Sequence, residues 1–183
     1  MKQNTEIRIA GFGGQGIIMA GYIIGKAAAI FDNKFSTLIQ SFGPEARGSS
    51  CSAQLLLSDE QILFPYITKP NIALILSRDA YETFSGELVK GGIMLVEKDL
   101  VHPKSNNGNY KVFAVPATQL AEDMGKKIVM NIISVGFFTA ITKQISYEAA
   151  RQAVETSVPA GTEEINLKAF ETGFNYGKEL LDS

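Results

Sequence analysis

Arg8-Ile-Ala-Gly-Phe-Gly-Gly-Gln-Gly16 is the stretch on which the fold turns. An apolar run leads into it. A long apolar segment rich in small residues leads out. That succession predicts a strand, a glycine turn and a helix start. Glycines at 11, 13 and 16 fit G-x-G-x-x-G, the spacing that lets a backbone approach a pyrophosphate at a helix N-terminus. Gly11, Gly13, Gly14, Gln15 and Gly16 are therefore the first candidate cofactor-binding residues. Two readings of the turn stay open on these residues alone. One is a phosphate-bearing ligand; the other is a tight turn that faces a neighbour. A stand-alone dinucleotide oxidoreductase also needs an acid at the end of its second strand, to hold ribose hydroxyls. Here that strand ends Leu38-Ile39-Gln40-Ser41, and Asp32 lies before it.

Outward from the turn, strands are expected at 6–10, 35–39, 51–57, 72–76, 93–96 and 112–115. Helices are expected at 15–31, 78–88, 117–124, 129–142, 146–154 and 166–181, with Ser146 as an N-cap. Gly21 and Gly25 cost helix propensity and imply a neighbouring backbone pressed close. The run Lys104–Asn109 reads as a hairpin-type turn. Alternating strands and helices predict an α/β three-layer domain with a mostly parallel sheet, 1–183 forming a single domain. The glycine turn then sits at the carboxyl edge of that sheet, where such folds place their sites.

Composition narrows the function. The 183 residues carry a formal charge of −2, with 45% hydrophobic and 20% charged residues, which suits a soluble globular protein and gives no basic footprint for nucleic acid. One cysteine and one histidine exclude an internal disulfide, an all-cysteine cluster and a histidine metal site within this chain. The polar start and the lack of a long apolar run predict a cytoplasmic chain with no membrane span. Cys51 opens an apolar strand and reads as a small buried hydrophobe; His102 before Pro103 reads as surface. Glu97-Lys98-Asp99 reads as a solvated charge run.

Ser41-Phe-Gly-Pro-Glu-Ala-Arg-Gly-Ser-Ser50 is the second unusual loop. It follows the second strand and so shares the sheet edge of the glycine turn. Gly43, Glu45 and Arg47 are its candidate site residues, Arg47 because a guanidinium presents a planar fork to phosphate or carboxylate. Together, Gly11-Phe-Gly-Gly-Gln-Gly16 and Ser41-Phe-Gly-Pro-Glu-Ala-Arg-Gly48 resemble the gamma subunit of 2-oxoacid:ferredoxin oxidoreductases, a domain also found in single-chain pyruvate:ferredoxin oxidoreductases. Ser58–Ile62 with Pro65, Lys69-Pro-Asn71, Val115-Pro-Ala117, Asn131 with Gly136, and Asn166 with Gly173 extend the resemblance along the chain.

The resemblance implies a subunit that is not catalytic alone. Alpha and beta partners, and in some enzymes delta, would carry thiamine diphosphate and iron–sulfur clusters. The complex would oxidise a 2-oxoacid to acyl-coenzyme A and reduce ferredoxin. The short second loop leans towards 2-oxoglutarate over pyruvate. Coenzyme A would be held by the two loops without a tightly bound cofactor in this chain. The alternatives are a dinucleotide oxidoreductase and a purely structural assembly subunit. An isolated copy is expected to leave apolar surface open and to pair with itself.

Overall fold

The computed structural model describes residues 4–42, 50–104 and 108–183. Six strands form one sheet: β1 (Thr5–Phe12), β2 (Phe35–Phe42), β3 (Ser50–Ser58), β4 (Ile72–Ile75), β5 (Ile93–Glu97) and β6 (Lys111–Val115). Their spatial order is β2-β3-β1-β4-β5-β6. The pairs β1–β4, β4–β5 and β5–β6 are parallel, whereas β3 runs antiparallel to both β1 and β2. The sheet is thus largely parallel with an inserted antiparallel strand. The chain between β2 and β3 spans only residues 43–49, too short for the crossover of a dozen or more residues that a parallel pair needs. The connection 98–110 meets that length, and β5 and β6 pair parallel, which rules out a hairpin between them; residues 105–107 of the expected turn at 104–109 lie outside the described residues.

One face of the sheet carries the main core. On it pack α1 (Ile17–Lys26), α3 (Ala117–Asp123), α4 (Met130–Thr142), α5 (Tyr147–Glu155) and α6 (Glu163–Asp182). The other face carries α2 (Arg78–Phe84) and a smaller cluster around Ala10, Ile75, Tyr81 and Val96. Arg8 lies on this face, paired with Glu87 at 2.9 Å and set 4.6 Å over the Phe84 ring.

Helix α4 is buried at every position, as its apolar sequence requires. Its three hydroxyls turn inward on the helix itself: Ser134, Thr139 and Thr142 donate to the carbonyls of Met130, Val135 and Phe138. Helix α6 lies along α4 at glycine-lined contacts. A Cβ on Gly136 would overlap the Phe170 carbonyl, and one on Gly173 would overlap the Ile133 carbonyl. Gly21 and Gly25 let α1 settle on the sheet. The close neighbours there are side chains of Leu38, Ala53, Ser36 and Leu55, not the backbone expected.

Other expectations shift at the edges. The 15–31 helix becomes α1 followed by a π-turn at Ala27–Phe31, and the 78–88 helix gives way to a 3₁₀ turn at Ser85–Glu87. Strand β2 continues through Gln40 to Phe42. Glu97 departs furthest. It is fully buried and accepts N–H bonds from Asp99, Leu100 and Thr118 at 2.8, 2.8 and 3.1 Å. The carboxylate caps the first turn of α3, where Pro116 offers no side-chain acceptor.

Candidate functional site

The glycine turn closes β1 at the carboxyl edge of the sheet. Gln15 braces it: its Oε1 accepts the Phe12 N–H at 2.7 Å, and its Nε2 donates to the Leu76 carbonyl at 2.8 Å. Both ends of that amide are therefore used within the protein. Gly11 is buried beneath it, where a Cβ would collide with Gln15 and with Ile17 Cδ1 at 2.7 Å. Gly14 and Gly16 adopt left-handed backbone, with φ of 101° and 73°. Gly16 is the N-cap of α1 and supplies no side chain to that helix's first turn. Its missing Cβ is also the space that the Asn131 side chain occupies. Gly16→Ala should cost about 2–3 kcal/mol, from left-handed strain and displacement of Asn131, and lower Tm by roughly 5–10 °C in a thermal melt.

The uncapped start of α1 opens into a cleft of about 710 Å³. Gly13, Gly14 and Gly16 line one wall; Ile128, Val129, Val158 and Ile165 line another. Asn131 and Asn166 form part of its lining, each more than nine-tenths buried. Asn131 Nδ2 lies 3.4 Å from the Gly16 carbonyl, and Asn166 Nδ2 donates to the Thr162 carbonyl at 2.8 Å. Lys126 is the one charged side chain among the described lining residues. A cleft that holds an open helix N-terminus and a lysine, with no carboxylate in the described lining, favours an anionic group; the apolar walls suit an extended neutral arm.

Phe42 and Cys51 also line this cleft, so the last residue of β2 and the start of β3 share the sheet edge of the glycine turn, as expected. Gly43, Glu45 and Arg47 lie outside the described residues. Of the candidates in the first loop, Gly13, Gly14 and Gly16 reach the cleft, while Gly11 and Gln15 lie under it and hold the turn. Nothing local in the sequence marks Lys126 as a site residue, because only tertiary folding carries it to the cleft. Cys51 is 7% exposed, and burial pushes its thiol pKa up, which keeps it protonated. His102 is exposed.

A more open groove of about 790 Å³ lies elsewhere, among Asp32, Lys34, Gln144, Tyr147 and Lys178. Its groups are largely engaged: Lys34 donates to the Gln144 carbonyl, and Asp32 accepts from the Ser146 N–H and hydroxyl. No described group of His, Cys, Asp and Glu could hold a metal ion, and no described helix is long and apolar enough to cross a membrane.

The family model described as pyruvate ferredoxin/flavodoxin oxidoreductase matches residues 6–176. The 2-oxoglutarate synthase subunit KorC of Methanocaldococcus jannaschii is 44% identical over 98% of this chain and 97% of its own length. The pyruvate synthase subunit PorC of the same organism is 31% identical over 93% of this chain and 95% of its own. The solved gamma subunit of a keto/oxoacid ferredoxin oxidoreductase from Geobacter sulfurreducens superposes with a TM-score of 0.83 at 40% identity, covering 94% of this chain and 98% of that one.

Proposed function

The chain belongs to the gamma-subunit family of the 2-oxoacid:ferredoxin oxidoreductases, and from that premise we propose that it serves a 2-oxoglutarate-oxidising complex as its coenzyme A-side subunit. It works with alpha and beta partners, and delta where one exists. Those partners carry thiamine diphosphate and iron–sulfur clusters and pass electrons to ferredoxin. This chain is not catalytic alone. The lean to 2-oxoglutarate is supported by 44% identity to the KorC subunit against 31% to the PorC subunit.

One observation carries the coenzyme A role. The start of α1 has no side-chain cap and faces a cleft whose described charge is Lys126. The diphosphate of coenzyme A matches that end, and its pantetheine arm matches the apolar walls. Arg47, in the connection between β2 and β3, is the second cation assigned to the phosphates.

The test is the reconstituted complex, assayed by 2-oxoacid-dependent dye reduction. Lys126→Ala and Arg47→Ala should each raise KM for coenzyme A about tenfold, the loss of one charge-assisted hydrogen bond. The KM for the oxoacid should stay within a factor of about two. An unchanged coenzyme A KM in both variants would reduce this chain to an assembly subunit. That reading has its own support, since packing against Gln15 and Asn131 already accounts for Gly11 and Gly16.

A further inference from the structure

Strand β2 is an edge of the sheet. Among the described residues no strand and no backbone group bonds to its outer side. Such edges are normally blunted by charge, proline, a bulge or shortness. β2 has none of these. Phe35-Ser-Thr-Leu-Ile-Gln-Ser-Phe42 carries no charged residue and no proline. Its register with β3 runs unbroken from Phe35 opposite Ser58 to Phe42 opposite Cys51, so no bulge bends it away. The opposite edge is managed differently: β6 is five residues long and begins with Lys111.

We propose that β2 pairs antiparallel with β2 of a second copy of this chain, joining two six-stranded sheets about a two-fold axis. The neutral strand meets its own copy without like-charge repulsion in any register, which is what an isologous contact demands. The pleat restricts the register. The axis must stand perpendicular to the sheet, so outward side chains meet outward ones and inward meet inward. The pairing is therefore centred on Leu38 or on Ile39, never between them. About six to eight backbone hydrogen bonds form across such a ribbon.

The edge of β2, eight residues, is about 27 Å long and about 10 Å thick, and α1, ten residues, adds a second layer only about 15 Å long. Two copies then bury on the order of 800 Å², the size of a weak pair whose main affinity comes from the backbone ladder. Phe35, about half exposed, opens that edge strand and loses water in the pair. Both α1 helices end on the same face of the joined sheet.

The test is sedimentation equilibrium of the full chain at tens of micromolar. The wild type should run at twice its 19.8 kDa monomer mass. Gln40→Lys/Ser41→Lys changes two exposed β2 residues, one on each face. It should weaken association roughly a hundredfold or more, with Tm of the monomer unchanged. Val112→Lys, on β6, should leave the dimer intact. A monomeric wild type, a dimer that survives the double lysine change, or one broken by Val112→Lys would each overturn the proposal.

Discussion

Gly173→Ala should lower the melting temperature by more than 10 °C, or leave the chain unable to fold. In an ordinary helix interior the same change stabilises by about 0.5–1 kcal/mol, because alanine loses less backbone entropy. The sign reverses here through backbone geometry. The added methyl would overlap the Ile133 carbonyl and lie 3.0 Å from the Ile133 Cα. Backbone atoms of a helix buried on all sides have nowhere to go, so α6 must lift from α4. The loss of that contact should cost about 4 kcal/mol or more. Gly136→Ala should behave alike, since its methyl would meet the Phe170 carbonyl and the Phe174 nitrogen. Once one methyl has separated the helices, the second costs less, so the double variant should fall short of the sum. Thermal and urea melts of the three variants check this. A Tm change under about 3 °C for both singles would show that the helices part easily.

Glu97→Ala should be nearly as damaging. The change strips three backbone N–H groups of their acceptor at once, in a site without solvent. Each buried unsatisfied donor costs about 1–3 kcal/mol, with partial relief as the segment relaxes. A total of roughly 3–5 kcal/mol follows, or about 10 °C in Tm. Glu97→Gln keeps the shape and one good acceptor oxygen but turns an NH₂ towards a donor, so about half that loss is expected. Hydrogen exchange should localise the damage to the amides of Asp99, Leu100 and Thr118. Unchanged exchange there would mean that another group takes over the cap.

These residues also show what was legible in the sequence. The strand–turn–helix at 8–16 could be read because its glycine spacing and flanking apolar runs are local signals. The family resemblance rests on the same local loops. Antiparallel β3 was readable in principle, since seven connecting residues cannot carry a crossover, but strand alternation drew attention to the parallel solution instead. Glu97 could not be read. Its neighbours Lys98 and Asp99 imitate a solvated run, and one of its three donors arrives from Thr118 on another element. Gly136 and Gly173 are legible in the sequence only as parts of the resemblance; their packing role exists where α4 meets α6. Lys126 joins the cleft of the glycine turn through tertiary folding alone.

The inserted strand also changes what the glycine spacing measures. In a dinucleotide unit the second strand lies directly beside the first, about 5 Å away, and counting some twenty residues onward from the glycines finds the acid that holds the ribose. In this topology that count lands on β2, two strand spacings from the turn, about 10 Å. The residues that stand beside Gly11 and Phe12 are Cys51 and Ser50, on the far side of a hairpin and pointing back along the chain. Gln40 does not line the cleft, and a carboxylate in its place would stand two strands from a ribose seated on this turn. The glycine spacing here therefore reports a tight strand-to-helix turn, while the neighbour that gives a dinucleotide signature its chemistry is replaced by an antiparallel strand.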